Sequence, residues 1–375
     1  MRRAKILGAL ALLALNGCSA RTTPIWIGVV SLSTSENDDL RGAQLAVDEA
    51  NRAGGINGRL VRIAVANDSG LGELAVRAAK HFVADDRIVG VVGHMSSSAM
   101  IAATAVYDGK LAAVATMATS PALTGISPWV FRVPPSDSAL GAREARLFIA
   151  RGWTRLAMLY DNDGYGRGIS ALLASEFRAL GGTIVQRNPF TDGLLDFDVY
   201  VRKLERLNPD AVVVFSGPQS GNAFVTAAFS RHLKAQIIGS DTWPSSLAQN
   251  AAAEGVLWPS LFPPSGANTA ATRFRSAFTT RYGREPEALA ALGYDAALAV
   301  LHAIREGGAT RAGVRGALAN PRVAVAGATG AIRFEHGDRV GSMGALLRVS
   351  HGQLVIDALW GDTTFRSPAV DAKPR

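Results

Sequence analysis

Cysteine is almost missing from this chain of 375 residues, in which Cys18 stands alone. An internal disulfide and a cysteine-built metal site are therefore both excluded. The six histidines, His81, His94, His232, His302, His336 and His351, are dispersed without ligand spacing, so no metal site is expected. Two phosphate-handling signatures are absent as well. The first strand candidate runs into GVVSLSTSEN rather than G-x-G-x-x-G, and G-x-x-x-x-G-K-[ST] occurs nowhere. A dinucleotide fold of the usual kind and a P-loop are thus disfavoured, and no cofactor is expected. Lys and Arg are scattered among acidic residues, so the formal net charge of +8 reads as a soluble basic surface and not as a nucleic-acid footprint. Beyond the first twenty residues no apolar run approaches membrane-spanning length.

What the chain does have begins with MRRAKILGALALLALNGCSA. Arg2, Arg3 and Lys5 precede a short apolar run over 6–15, too short to cross a bilayer as a helix and suited to a cleaved export signal. Leu15-Asn16-Gly17-Cys18 resembles a bacterial lipoprotein signal, in which the Cys becomes the lipidated first residue. Residues 1–17 are accordingly read as signal peptide, with a lipid on Cys18 as the sole membrane anchor. Without the three leader cations the remainder carries 36 Lys and Arg against 31 Asp and Glu. At 48% hydrophobic residues it is long enough for two domains with proper cores.

From Pro24 onward short β-branched runs alternate with longer amphipathic stretches. The pattern predicts strands over 25–30, 60–66, 88–92 and 111–115, and helices over 40–52, 73–84 and 98–107. Strands separated by helices of this length imply right-handed crossovers and a parallel sheet. After the turn-rich RVPPSDSALG the alternation starts afresh, with strands over 156–160, 183–186, 211–215 and 236–238 and helices over 168–180, 197–207 and 221–232. Residues 268–318 read as almost all helix, and short strands return around 331–334, 345–349 and 354–359. The expected fold is α/β, two doubly wound parallel-sheet lobes joined by a multi-strand hinge. The expected divisions are 24–135 with 263–338 for lobe one, 136–262 with 339–362 for lobe two, and a tail over 363–375.

In open parallel sheets ligands collect beyond the carboxyl ends of the strands, where helix N-termini point. VGVVGHMSSSAMIAA ends a strand in Ser96, Ser97 and Ser98, and ATMATSPALT follows the next strand with Thr116, Thr119, Ser120 and Thr124. Hydroxyls and free backbone N–H groups at one edge can surround a carboxylate without a cation. The same Ser and Thr residues equally suit plain helix capping. In lobe two, YDNDGYGRGIS places Tyr165 between glycines that open a helix, where it either faces the cleft or packs a turn. IIGSDTWP sets Asp241 just past a strand, as a counter-charge for an ammonium group or as a turn cap. A nucleophile pair of Ser97 and His94 can be drawn, but no G-x-S-x-G elbow supports a hydrolase.

Taken in order, IWIGVVSL, RGAQLAVDEANRAGGINGRLVRI, VVGHMSSSAM, ATSPALT, YDNDGYGRG, DFDVYVRKLERLNPDAVVV, EGVLW and ALGYDAALAV resemble the substrate-binding proteins of branched-chain amino-acid ABC transporters. This is the leucine/isoleucine/valine-binding type, with the type I periplasmic-binding fold. The resemblance implies that Ser97 and Thr119 bind a ligand carboxylate, with backbone from Met117 or Ala118 alongside. It further implies that Tyr165 faces the ligand and that Asp241 meets its ammonium group. It makes the chain a non-enzymatic capture protein, and its partners an amino acid or related small carboxylate and an ABC permease. Relatives of the same fold also serve as sensors or as envelope lipoproteins acting through protein partners. Two stretches depart from the family pattern: SLSTSENDDLRG looks shorter and lacks an aromatic cover, and FSGPQSGN has Gly217, Pro218 and Gln219 where aromatic residues often face the cleft.

Overall fold

The computed structural model describes residues 23–32, 37–191, 193–262, 269–341 and 344–360. The signal peptide, Cys18 and the tail over 363–375 lie outside the described residues. The first half of the chain runs β1 (Ile25–Ser31), α1 (Asp38–Arg52), β2 (Val61–Asn67), α2 (Gly72–Ala84), β3 (Ile88–Val92), α3 (Ser97–Tyr107), β4 (Ala113–Ala115) and β5 (Val130–Arg132). It continues through α4 (Asp137–Ala150), β6 (Arg155–Asp161), α5 (Gly164–Ala179), β7 (Thr183–Phe190), α6 (Asp198–Leu207), β8 (Ala211–Phe215), α7 (Pro218–Ser230), β9 (Gln236–Ile238) and β10 (Leu257–Ser260). Then follow α8 (Thr269–Tyr282), α9 (Ala288–Gly307), α10 (Arg311–Leu318), β11 (Val325–Gly327), β12 (Gly330–Ile332), β13 (Phe334–Glu335), β14 (Asp338–Arg339), β15 (Gly344–Ser350) and β16 (Gln353–Trp360).

Two seven-stranded sheets organise these elements, in the orders β13-β14-β5-β4-β3-β1-β2 and β16-β15-β10-β9-β8-β6-β7. The five parallel strands repeat one pattern in both lobes, with the first strand of each set between the second and third. That reversal is a topological switch point, and it opens a crevice beyond the strand ends in each lobe. Strands β3 and β8 are buried at every position, which is why they read as unbroken apolar runs.

The sheets are mixed rather than purely parallel. Strand β15 pairs antiparallel with β10 and turns through His351 and Gly352 into β16, while β13 and β14 form an antiparallel hairpin. Late, short connections leave no room for a crossover helix, so these edge strands fold back on themselves. The sequence pattern also passed over β5, β10 and the whole of α4. Pro259 inside β10 argues against a strand, and the prolines before Ser136 read as a turn although Ser136 caps α4 by accepting from Ala139 N.

The chain passes between the sheets after β5, after β10 and after β14. Residues 263–268 and 342–343, in the second and third passages, lie outside the described residues. Helix α9 is apolar and long enough to cross a membrane, but two-thirds of its apolar window is buried inside the protein (67%), where it packs on α1 as a core helix. A Cβ at Gly42 would stand 2.0 Å from the Ala290 carbonyl and one at Gly293 2.1 Å from that of Asp39, so glycine is required for the two backbones to meet.

Candidate ligand-binding cleft

The three serines after β3 have separate tasks. Ser96 is the helix cap: its Oγ accepts from Ala99 N at 3.1 Å and donates to the Gly70 carbonyl at 3.2 Å. Ser98 is exposed, its hydroxyl 3.2 Å from that of Ser96. Ser97 opens α3 half-buried, and its Oγ accepts from Ser120 N at 3.1 Å, which ties the loop after β3 to the loop after β4. The capping role weighed for all three thus falls on Ser96, and Ser97 keeps its own O–H as a donor.

Beyond β4, Met117 packs half-buried against the lobe-one core, Ala118 is sealed, and Thr119 is nearly so. This loop is clamped by the buried Arg132, whose guanidinium donates to the carbonyls of Thr119 at 3.0 Å and Ser120 at 2.7 Å while pairing with Asp338 at 2.7 Å. The nearby Thr119 hydroxyl favours the charged form of the Asp137 carboxyl, and Asp137 N donates to the Thr119 carbonyl at 2.9 Å. His94 does not activate Ser97. It is buried with Nδ1 2.6 Å from Asp68 and Nε2 3.0 Å from the Tyr107 hydroxyl, so both ring nitrogens are committed elsewhere.

In the second lobe, Asp163 caps α5 by accepting from Gly166 N at 2.6 Å, which places Tyr165 in the first turn. The Tyr165 hydroxyl donates to Asp241 Oδ1 at 2.6 Å and lies 3.0 Å from Ser240 Oγ, while its ring stands edge-on to Phe215. Burial pushes the Asp241 carboxyl up, and the bonds from Tyr165 and Ser240 counter part of that shift. Burial, then the Asp241 charge, pushes the Tyr165 phenol up. Trp243, next to Asp241 in sequence, turns away into the lobe-two core and donates from Nε1 to the Ser216 carbonyl at 3.1 Å. Gly217 caps α7 and Pro218 opens it, so the GPQ stretch that departs from the family pattern is a helix start. Of the other departing loop, residues 33–36 lie outside the described residues.

Residues from both lobes meet around a small cavity of about 10 Å³, lined by Thr119, Pro135, Leu140, Asp241, Pro259, Ser260 and Leu261. Thr119 and Asp241 contribute directly, whereas Tyr165 stands one hydrogen bond behind Asp241 and Ser97 is held through Ser120. Met117, Ala118, Ser97 and Tyr165 are not among the residues lining this cavity. Two acids that the sequence pattern did not single out belong to the same neighbourhood. Burial pushes the Asp137 carboxyl up to about 6, against the Thr119 bond and with the Asp241 charge. Burial and the charges of Asp241 and Asp137 push Glu144 up to about 8. The 137–144 spacing was the available signal, hidden because α4 was read as a turn.

Two α/β lobes with paired switch points and polar groups converging between them define a two-lobed binding protein. The periplasmic binding protein family model matches residues 28–352, and the chain belongs to that family. An amino acid binding protein of Pseudomonas aeruginosa is 32% identical over 225 residues, 57% of this chain, and the match spans only 60% of that protein's length. The Leu/Ile/Val-binding protein homolog 1 of Brucella suis is 29% identical over 281 residues, covering 72% of this chain and 73% of the relative. Among solved structures, an ABC transporter substrate-binding protein from Desulfitobacterium hafniense in complex with Leu superposes with a TM-score of 0.78 at 28% identity, covering 89% of this chain and 99% of that one.

Proposed function

We propose that this chain is an extracytoplasmic solute-binding protein that captures an amino acid or related small carboxylate between its lobes and delivers it to an ABC permease. Lobe one is taken as 24–135 with 263–338 and lobe two as 136–262 with 339–362, on the periplasmic side of the membrane, anchored by a lipid on Cys18. The observation that carries this reading is the shared cavity. Thr119 from one lobe and Asp241 from the other line it together, with Tyr165 donating to Asp241. A carboxylate donor on one wall and a carboxylate on the other suit a zwitterion, with Ser97, Met117 and Ala118 beside Thr119. A ligand touching both lobes favours the closed form by its differential affinity, which calls for no cofactor and no bond-making step.

The test uses the chain from Ser19 onward, melted against the standard amino acids, their amides and short carboxylic acids. A micromolar binder at millimolar concentration stabilises the fold by roughly 4 kcal/mol. A shift for one chemical group, lost in Asp241→Ala and Thr119→Ala, supports the reading. No shift across the panel overturns it and favours a protein-binding envelope or sensor role.

A further inference from the structure

Helix α4 carries two buried acids, on the side from which Leu140 lines the cavity, that the zwitterion reading leaves unused. Asp137 and Glu144 are two helical turns apart and project from one side, and Leu140 between them lines the cavity with Asp241. Both are sealed from solvent, at 4% and 1% exposure. Asp137 Oδ1 and Glu144 Oε2 have no hydrogen-bond partner among the described residues. The charge of Asp241 bears on both of them, and Glu144 also feels Asp137. Arg132 acts on Asp137 but is committed to Asp338 and to the carbonyls of Thr119 and Ser120.

Asp137 and Asp241 in one water-poor site require counter-charges, and Glu144, which burial and their charges hold protonated, ionises where a cation reaches it. A single α-ammonium group, bound to Asp241, supplies one positive charge. A second ammonium group brings one more charge and three more donors.

We propose that Asp137 and Glu144 are specificity-determining residues that receive the side-chain cation of a basic amino acid, a ligand bearing an ammonium group at each end of an aliphatic chain. This rests on the cleft being the amino-acid site proposed above. The resulting occupant has its carboxylate at Thr119, its α-ammonium at Asp241 and its distal ammonium against α4. An uncharged aliphatic side chain of equal length would leave Asp137 Oδ1 and Glu144 Oε2 without a partner.

Titration calorimetry at pH 7 with L-lysine, L-ornithine and L-norleucine tests this, because norleucine keeps the length of the lysine side chain and lacks its cation. Lysine or ornithine is expected to bind at least tenfold tighter than norleucine, with Glu144→Gln and Asp137→Asn each cutting that preference at least fivefold. Norleucine or leucine binding as tightly as lysine overturns the proposal while leaving a solute-binding protein in place. Binding of none of the amino acids overturns both. The comparison of ligands on the unaltered protein decides the matter even where a variant fails to fold.

Discussion

Glu144→Gln is expected to make the protein more stable at pH 8 and to change it little at pH 4.5. Glu144 is buried beside Asp137 and Asp241 and moves from 4.5, its ordinary value, up to about 8 in the folded protein. Between those values the native state holds a proton that the unfolded chain has released. Stability therefore falls as pH rises through that window, by up to ~1.4 kcal/mol per pH unit, and the accumulated loss is on the order of 4 kcal/mol at pH 8. Glutamine has nearly the same shape and no charge to bury, so the substitution removes that loss. At a few degrees per kcal/mol, the variant should melt roughly 5–10 °C above the unaltered protein at pH 8. The assay is a melting series from pH 4.5 to 8.5 in amino-acid-free buffer. A difference that stays constant with pH, or an unaltered protein that is the more stable at pH 8, refutes the account of Glu144 as an uncompensated buried acid.

Tyr165→Phe removes the donor that meets Asp241 at 2.6 Å, a bond to a charged group worth about 1.5–3 kcal/mol. Ligand affinity measured by calorimetry should fall roughly 10- to 150-fold on that scale, and an unchanged value would take Tyr165 out of the site. Gly239→Ala would put a Cβ 2.2 Å from the Trp243 ring, and its melting should report a loss of about 1–3 kcal/mol. Asp295→Ala strips the sealed Arg339 of its carboxylate, 3.7 Å away, and leaves Ala328 N and Thr329 N without their acceptor. The urea midpoint should drop by the equivalent of about 3–5 kcal/mol, and a drop under 1 kcal/mol would show that Arg339 finds water instead.

The parallel strands were legible because burial on both faces writes itself as an unbroken apolar run, as in β3 and β8. Strand-end logic pointed to a wider set that includes Ser97, Thr119, Tyr165 and Asp241, since helix starts after strands are marked by hydroxyls, glycines and acids, and the family resemblance then singled out these four. It did not separate Ser96 from Ser97, because capping depends on which hydroxyl reaches Ala99 N, a matter of one residue of register. Helix α4 was hidden behind Pro134 and Pro135, whose local preference is for a turn although the helix begins two residues later. With α4 unread, Asp137 and Glu144 could not be placed on one face. Their partner Asp241 lies about a hundred residues further on, and only the return of β9 beside β8 and β10 carries it to the cleft.

Two hydroxyls at or behind the cleft face carboxyls of the protein itself: Thr119 lies beside Asp137, and Tyr165 donates to Asp241. A ligand carboxylate arriving at Thr119 competes with Asp137 for one hydroxyl, so binding through the carboxylate alone leaves a buried acid with a donor fewer. Buried carboxylates without donors are costly, so that exchange is unfavourable unless the ligand returns an N–H group to the same neighbourhood. The coupling works in the other direction as well, because an ammonium group settling near Asp137 frees the Thr119 hydroxyl for the ligand carboxylate. On the proposed reading, a site wired in this way would take the two charges of an amino acid together rather than separately. On the reading proposed above, amino acids are therefore expected to bind more tightly than simple carboxylic acids or simple amines of equal length, and equal affinities in calorimetry would refute the coupling.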